Sequence, residues 1–490
     1  MTSAPPPSPG QAEAPTRSLS ARATRGAVWS MTSFGGGQLL RLAGNLVLSR
    51  LLFEEAFGLM ALVNAFLVGL ALFSDIGVGP SIVQNERGDD RRFLDTAWTM
   101  QVVRGFVLWA VSCAGAAPFA AFYGDPRLAW VLPVAGTTAL IAGLNSTKLF
   151  TANRHLHLRS LFFVEIGGQA FSLATMVSWA WVDRSVWALV AGGIAHALMR
   201  MILSHALLPG AGNRLAWEAR SVRALFQFGR WIFLSTVLTF LVQQADRLIF
   251  GQMIPIALLG VYSIAAMLAA LPTTAVGSIA IQVAFPFISR IRQRGDDVAA
   301  AFVRVRRPLL VCGGWMLSGL MAGGPLVVRI LYDERWHAAG WILQLLAVAG
   351  WFFVLVSTNE MFLLAMGQSR MLAVAGASKL AGMLLLIPVG FALGGFEGAV
   401  GGYVGSALLH YLVSLATARA HGLLGFAQDA RLSAACALAA GLGAGIAVAG
   451  REWHDALTAG VVFLAVTAVW LPLAVPLVAE LRARAAAAAA

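Results

Sequence analysis

Apolar runs of about 20 residues recur along almost the whole chain, and short polar connections separate them. A helix of this length is long enough to cross the hydrocarbon core of a bilayer. The pattern therefore predicts an all-α polytopic membrane protein with fourteen transmembrane helices. The predicted spans cover residues 27–48, 57–83, 97–122, 128–147, 161–182, 186–208, 227–249, 257–288, 308–331, 339–366, 371–393, 397–418, 432–449 and 456–479.

The basic residues sit in the connections and do not form one patch. If the arginine-containing N-terminal tail is cytoplasmic, every second connection is too, and that set holds 23 of the 35 Lys and Arg residues, against 6 on the opposite side. A missed or extra span would swap the sides of all later connections and remove this asymmetry from that point on. The asymmetry nevertheless persists to the C-terminus. We therefore expect both termini to be cytoplasmic, and we interpret the net charge of +12 as a topology signal rather than a nucleic-acid footprint.

Composition argues against an enzyme. Hydrophobic residues make up 59% of the chain and charged residues 12%, about half the charged fraction of a soluble domain. The connections assigned to the outer side are as short as GDP and VDRS, too short for a catalytic domain. The three cysteines lie far apart, without a CxxC or Cys/His cluster, so we expect no disulfide framework, no metal site and no cofactor.

A weak internal repeat predicts the domain organisation. Residues 49–53, SRLLF, precede FGLMALVNAFL, and residues 246–250, DRLIF, precede LGVYSIAAML. Six spans separate the copies, so they would share one orientation in the membrane, as in two six-helix lobes related by an axis along the membrane normal. The predicted segments are a disordered cytoplasmic tail over 1–25, a first lobe over 26–210, a cytoplasmic linker over 211–225, a second lobe over 226–420, two additional helices over 421–482 and a disordered tail over 483–490.

Polar side chains inside the spans are the candidate site. Gln38, Arg41 and Asn45 are spaced by three or four residues, which places them on one face of the first span. A charge at mid-membrane costs about 2.5–3.5 kcal/mol on insertion scales, so such residues are expected to face a hydrated cavity or a buried partner. The other candidates within spans are Asp75, Arg104, Glu165, Arg200, Arg230, Gln243 and Asp246.

Two interpretations of these side chains remain open. In the first, the polar faces line one partly cationic cavity. In the second, each residue only bonds to a neighbouring helix or extends its charge to the nearer interface. For Arg247, pairing with Asp246 and contact with a ligand are both open, whereas Glu360 and Lys379 are expected to form a structural pair or cap.

Three stretches carry a resemblance to a known family: residues 25–63 beginning RGAVWSMTSFGGGQLLRL, residues 72–84, LFSDIGVGPSIVQ, and residues 246–265, DRLIFGQMIPIALLGVYSIA. They resemble the polysaccharide transporter (Wzx-type flippase) family, of the superfamily that also holds the MATE multidrug exporters and the lipid II flippases. The resemblance implies two helical lobes in a V-shaped, MATE-like arrangement, plus two C-terminal helices, in the bacterial inner membrane.

The resemblance also implies a function. Such a protein would move an undecaprenyl-diphosphate-linked oligosaccharide from the inner to the outer leaflet by alternating access, for O-antigen, exopolysaccharide or capsule synthesis. Its partners would be the lipid-linked sugar, membrane lipids and a polysaccharide polymerase. Arginines in a hydrated cavity neutralise phosphate through charge-assisted hydrogen bonds, and amides and hydroxyls meet sugar hydroxyls.

These expectations assign roles to the candidate residues. Arg41 is the first choice for the anion contact, and the other substrate-binding candidates are Gln38, Asn45, Arg104, Arg200, Arg230 and Gln243. Coupling to a proton or sodium gradient is left open, with Asp75, Glu165 and Asp246 as coupling or gating candidates. For Asp75 we favour a local role, in which Ser74 and Asp75 cap backbone amides freed where the cluster of Gly77, Gly79 and Pro80 interrupts the helix.

Three rival functions are weighed. A cation-coupled multidrug exporter would favour an acidic cavity, whereas the deep charges here lean basic. A membrane glycosyltransferase, polymerase or ligase would need acidic or His/Arg clusters on sizeable outward loops. A purely structural membrane protein would leave the charged faces inside the spans without a reason.

Overall fold

The structure is a computed structural model that describes residues 35–74, 77–295, 297–450 and 452–489. Within these ranges the side chains of residues 224, 226–235, 283, 300, 481 and 484–489 are not described. The predicted N-terminal tail over 1–25 therefore lies outside the described residues. Every regular element among the described residues is helical.

Eight helices make up the first part of the chain. Helix α1 covers residues 35–51. The following helices are α2 (Glu54–Phe73), α3 (Val78–Gln84), α4 (Arg91–Tyr123), α5 (Leu128–Gly143), α6 (Lys148–Arg154), α7 (Leu158–Val182) and α8 (Val186–Ala206).

Eight more helices follow. A π-helical turn at Ala280–Ala284 joins α10 to α11, and a 3₁₀ turn at Glu334–Trp336 lies between α12 and α13. Their bounds are α9 (Ala219–Met253), α10 (Ile256–Ile279), α11 (Phe285–Gln293), α12 (Val298–Leu331), α13 (Ala339–Ala365), α14 (Ser369–Ala420), α15 (Phe426–Ala449) and α16 (Asp455–Ala489). Helix α16 continues through 483–489, where sequence analysis predicts a disordered tail; alanine, which fills this run, has the highest intrinsic helix propensity.

Ten helices among the described residues are long and apolar enough to cross a membrane, or eleven if α5 and α6, bent by 56°, count as one span. This count leaves out α1 and α9, which are described only in part. It also takes α14 as one helix, although its backbone leaves the helical conformation at Gly394 and Gly395. The chain is thus a multi-pass membrane protein, and the number fourteen stays a prediction.

The chain divides into two compact units. Unit 1 comprises Met1–Leu52 and Phe66–Val237, and unit 2 comprises Phe53–Ala65 and Leu238–Ala490. Unit 2 thus includes the first half of α2, which the predicted first lobe over 26–210 contains. The predicted linker over 211–225 belongs to unit 1.

The linker is bound to α4. The backbone N–H groups of Arg214, Ala216 and Glu218 donate to side-chain oxygens of Asp95, Thr99 and Thr96 at 3.0, 3.0 and 3.2 Å. Alternate residues of an extended segment point the same way, so three successive donors of the linker meet one polar face of the helix. The segment after α8 is therefore part of unit 1.

In unit 2 the repeat-related helices α2 and α10 meet through glycine. A Cβ atom on Gly58 would collide with the carbonyl oxygen of Ile256, and one on Gly260 would collide with that of Glu54. The contact is reciprocal, as a two-fold relation between the repeats would require. A side chain at either position would push the two backbones apart, so this packing explains why the FGL and LGV motifs of the repeat both contain glycine.

Helix α12 extends beyond the predicted ninth span. The span is predicted to begin at residue 308, whereas the helix begins at Val298. Asp297 caps this helix by accepting from the Ala299 N–H at 2.8 Å. Hydropathy misses the first turns of α12 because its arginines lower the mean, although Arg306 is fully buried.

Candidate functional site

Glycines of α1 bring its polar face close to α7. Positions 36, 37 and 44 of α1 face Ile166, Gln169 and Leu173 of α7, with the Gly37 Cβ position 3.3 Å from Gln169 Oε1. The two helices run in the same direction, because the contacts advance together along both.

The predicted polar face of α1 lies beside this contact. Gln38 and Asn45 are half-buried, and each takes part in an interaction with another residue. Arg41 is exposed, and within the described part of the chain it has no ion-pair partner. Its charge is therefore available to a ligand.

Helices α7 and α8 add a half-exposed ionic group. Gln169 Nε2 donates to Glu165 Oε1 at 2.9 Å, and Arg200 Nε lies 3.7 Å from Glu165 Oε2. Arg200 Nε and Gln169 Oε1 have no hydrogen-bond partner among the described residues. Gln169 contacts α1 at Gly37, one helical turn before Arg41. We call Gln38, Arg41, Asn45, Glu165, Gln169 and Arg200 the unit 1 polar cluster.

Arg104 contacts the C-terminal end of α2, and its role in substrate binding stays a prediction. Its Nε donates to Ser74 Oγ at 2.9 Å and its Nη2 donates to the Ala71 carbonyl at 2.5 Å, so it caps the C-terminal end of α2. The expectation that Ser74 caps freed amides is wrong, because Ser74 Oγ donates to the carbonyls of Leu70 and Ala71. A helix leaves its carbonyls unpaired at the C-terminal end. Asp75 lies outside the described residues.

The three candidate residues of α9 differ in what the structure describes of them and in their exposure. The Arg230 side chain lies outside the described residues, and Gln243 is exposed. Asp246 is 5% exposed; it accepts from Tyr262 Oη at 2.7 Å and lies 3.6 Å from Arg247 Nη1. The pairing of Asp246 with Arg247 is therefore observed, within unit 2 and apart from the unit 1 polar cluster.

Sequence analysis missed a polar layer in unit 2. Three consecutive residues of α13 each face another helix: Thr358 Oγ1 accepts from Arg306 Nε at 2.9 Å, Asn359 Nδ2 donates to Ser414 Oγ at 3.5 Å, and Glu360 Oε1 lies 3.3 Å from His410 Nε2. The sequence does contain a signal for this layer, because three adjacent polar residues interrupt a 27-residue apolar helix. Their partners lie about 50 residues away in sequence, so the pattern alone does not identify them.

The layer contains a fully buried ion pair. Arg306 Nη2 donates to Asp429 Oδ1 at 2.9 Å, and neither side chain is exposed. Tyr411 Oη donates to Asp429 Oδ2 at 3.1 Å, and the Arg306 guanidinium lies 4.5 Å from the Phe302 ring centroid. This pair joins α12 to α15, which sequence analysis assigns to the additional C-terminal helices.

Lys379 of α14 has its Nζ 5.8 Å from the Tyr403 ring centroid. Glu360 lies beside His410, and a structural pair or cap for Lys379 stays a prediction. We call Asp246, Arg247, Tyr262, Glu360, Lys379, Tyr403 and His410 the unit 2 charge cluster.

Outside the spans, Arg87 joins two acids of unit 1. Its Nη2 lies 2.6 Å from Asp90 Oδ2 and 3.0 Å from Glu218 Oε2, and Ser221 Oγ also donates to Glu218. The hydrogen bond from Arg87 lowers the pKa of Asp90, and the bonds from Ser221 and Arg87 lower that of Glu218. Among the described residues, no three His, Cys, Asp or Glu side chains are grouped so as to hold a metal ion.

Comparison with known proteins gives a family match over more than half of the chain. A family model described as "Polysaccharide biosynthesis protein" matches residues 47–340. The teichuronic acid biosynthesis protein TuaB of Bacillus subtilis (strain 168) is 23% identical over 308 residues, 60% of this chain and 61% of that protein. The match thus spans about three fifths of TuaB. The succinoglycan biosynthesis transport protein ExoT of Rhizobium meliloti (strain 1021) is 22% identical over 354 residues, 71% of this chain and 70% of ExoT.

Solved structures show the same fold. The lipid II flippase MurJ in an inward closed conformation aligns with a TM-score of 0.71, covering 93% of this chain and 99% of MurJ at 11% identity. An inward-facing MATE family multidrug resistance transporter of the MOP superfamily aligns with a TM-score of 0.64, covering 81% of this chain and 95% of that one at 11% identity.

Proposed function

This chain belongs to the polysaccharide biosynthesis protein family, and from that premise we propose that it is a flippase for an undecaprenyl-diphosphate-linked oligosaccharide. It would carry this lipid from the inner to the outer leaflet of the bacterial inner membrane, for an O-antigen, exopolysaccharide or capsule. The resemblance found in the sequence is confirmed by the family match and by the polysaccharide relatives. ExoT is described as a transport protein and MurJ as a flippase, which supports a transporter rather than an enzyme.

The unit 1 polar cluster is the observation that carries the proposal. It holds Arg41 and Arg200 against one carboxylate, Glu165, so its formal charge is positive. Arg41 is exposed and unpaired within the described residues, and Arg200 keeps an unbonded Nε. Two guanidinium groups suit a diphosphate, because each donates paired hydrogen bonds to phosphate oxygens.

The remaining parts of the proposal follow from the cargo. Neither the diphosphate nor the sugars cross hydrocarbon readily, so a hydrated path is needed for the head group while the polyprenyl tail stays in lipid. We propose fourteen spans with both termini cytoplasmic, two lobes in a V, and alternating access by rocking of the lobes. A polysaccharide polymerase would take up the delivered lipid. A proton or sodium gradient would supply the driving force, with Asp75, Glu165 and Asp246 as coupling or gating candidates.

The test is leaflet translocation of a polyprenyl-diphosphate oligosaccharide in proteoliposomes. Arg41→Ala should lower the rate by about tenfold or more, since a lost charged hydrogen bond costs about 1.5–3 kcal/mol. Arg41→Lys should retain part of the rate, because it keeps the charge and loses the paired geometry. Arg50→Ala is the matched control, as Arg50 is exposed on the same helix.

The nearest rival gives a different result. The MATE neighbour in the structural comparison is a multidrug transporter, so organic cations are the alternative cargo. Gradient-driven efflux of organic cations, without movement of any polyprenyl-diphosphate sugar, would contradict the flippase proposal. It would also contradict the role given to Arg41, because a cationic cargo gains nothing from an unpaired guanidinium.

A further inference from the structure

Unit 2 contains a buried histidine that faces a carboxylate without a hydrogen bond. His410 is 6% exposed, and its Nε2 lies 3.3 Å from Glu360 Oε1. Nε2 has no hydrogen-bond partner among the described residues. With the ring proton on Nδ1, the imidazole and the carboxylate present two acceptors to each other. A proton on Nε2 converts this contact into a charge-assisted hydrogen bond.

The formal charges of the neighbouring groups balance one another before this proton binds. Charged and titratable groups on the helices of unit 2 that contribute to these clusters are Asp246 and Arg247 on α9, Tyr262 on α10, Arg306 on α12, Lys379, Tyr403 and Tyr411 on α14, and Asp429 on α15. Arg306 and Asp429 neutralise each other, and the cations of Arg247 and Lys379 balance the two carboxylates of the unit 2 charge cluster. Of all these groups, the imidazole is the one whose ordinary pKa lies near neutral pH.

The hairpin of α14 places Lys379 beside this pair. Close contacts fix the register between its two parts: Gly390 meets Gly398, Leu386 meets Gly402, and Gly382 meets Ser406. Moving four residues back along the first part of α14 corresponds to moving four residues forward along the second part. This register places Lys379 at the level of His410. Its Nζ lies 5.8 Å from the centroid of the Tyr403 ring, and Tyr403 precedes His410 by seven residues, nearer the bend of the hairpin. The lysine stem therefore extends from the level of His410 towards Tyr403.

We propose that Glu360 and His410 form a proton-binding site whose charge state acts on Lys379, which the register of α14 places at the level of His410. A proton from water binds His410 Nε2, leaving hydroxide or deprotonated buffer acid behind, and no bond within the protein is broken. The imidazolium then pairs with Glu360, which weakens the attraction of Glu360 for the Lys379 ammonium. The Glu360 side chain is 25% exposed, so the proton has a route from the surface of the unit.

The use of this proton to drive transport rests on the proposed function, whereas its binding does not. The experiment is therefore a titration without cargo. Protein labelled with ¹⁵N-histidine is placed in lipid nanodiscs, and the imidazole nitrogens are followed by NMR from pH 5 to pH 9. The His410 signals are identified by their loss in His410→Gln.

Two substitutions should move the His410 titration in opposite directions. Glu360→Gln removes the facing carboxylate and should lower the proton affinity of His410 by about tenfold or more. Lys379→Met removes a nearby cation and should raise it. If one variant fails to fold, the other still decides the direction, and the parent titration stands by itself.

Two controls test whether the effect is local. Glu397→Gln removes an exposed carboxylate from the same helix and should leave His410 unchanged. His421, whose Nδ1 lies 2.8 Å from the Thr417 carbonyl, should titrate identically in all variants. Absence of His410 titration between pH 5 and pH 9, or an equal shift in Glu397→Gln, would overturn the proposal. Failure of the flippase assay with an intact titration would instead count against the proposed function alone.

Discussion

Two arginine–carboxylate pairs, one in each unit, are built from the same chemistry in opposite surroundings. In unit 1, Arg200 and Glu165 lie 3.7 Å apart with side chains 40% and 38% exposed. In unit 2, Arg306 and Asp429 lie 2.9 Å apart, and neither side chain is exposed. The two pairs therefore differ in separation, in burial and in access to a ligand.

The buried pair is also tied to further side chains. Arg306 Nε donates to Thr358, Asp429 accepts from Tyr411, and the guanidinium lies on the Phe302 ring. Within the described residues, Arg200 and Arg306 each keep one unbonded nitrogen, Nε and Nη1, but only that of Arg306 belongs to a side chain with no exposure. The pair in unit 2 therefore holds helices together, whereas the half-exposed Arg200 and the exposed Arg41 are open to an anion.

The largest effect is expected from breaking the buried pair. Arg306→Met would leave the Asp429 carboxylate buried without its cation, which should lower the free energy of unfolding by about 3–5 kcal/mol. The measurement is the unfolding of purified protein in detergent, followed by circular dichroism during a denaturant titration.

The double variant Arg306→Met with Asp429→Leu is its control. Replacing both ions by apolar residues removes the unpaired charge, so most of the lost stability should return. A double variant no more stable than Arg306→Met would show that the buried charge is not the cause of the loss.

A smaller effect on stability is expected at the exposed pair. Arg200→Met should change the free energy of unfolding by less than about 1 kcal/mol, because half-exposed ion pairs contribute little. It should nevertheless slow transport several-fold if the unit 1 polar cluster binds the diphosphate. Arg329→Met is the matched control, since Arg329 and Asp455 form a pair 3.0 Å apart with 38% and 41% exposure in unit 2. Equal loss of transport in both variants would contradict the assignment.

The parts of the molecule that sequence predicts are those set by local pattern. The polar face of α1 follows from helical spacing, and Gly37 and Gly44 of the same helix pack against side chains of α7. The repeat also appears as a pair of equivalent contacts, with Gly58 and Gly260 meeting reciprocally. Each of these features depends on residues within a few turns of one another or on a copied motif.

The parts that sequence does not predict depend on long-range pairing. Arg306 reads as one of several basic residues in a connection, because its partner Asp429 is 123 positions away. His410 reads as an isolated histidine, since Glu360 approaches it only after α14 folds back at Gly394 and Gly395. The sequence likewise does not show that the end of α2 lies within reach of Arg104. Burial and partners belong to the fold, so residue type alone does not identify them.

The smallest effect is expected outside the spans, where Arg87 joins Asp90 and Glu218. The pKa of both acids is lowered in the folded protein. Their ion pairs therefore stabilise the folded state fully above the pKa that the acids have in the unfolded chain, which is about 4. This stabilisation is lost as the pH falls through the lower pKa values of the folded protein. The melting temperature of Arg87→Gln should therefore lie slightly below that of the parent at pH 7, and the gap should close as the pH is lowered below about 4. High salt at pH 7 should also narrow the difference in melting temperature, because exposed charges are screened.

A difference in melting temperature that persisted in acid would mean that Arg87 acts through packing, for instance against the Phe93 ring, whose centroid lies 5.9 Å from the guanidinium carbon of Arg87. The exposed ion pairs of unit 1 would then resemble the packed pair of unit 2 more closely than their burial indicates.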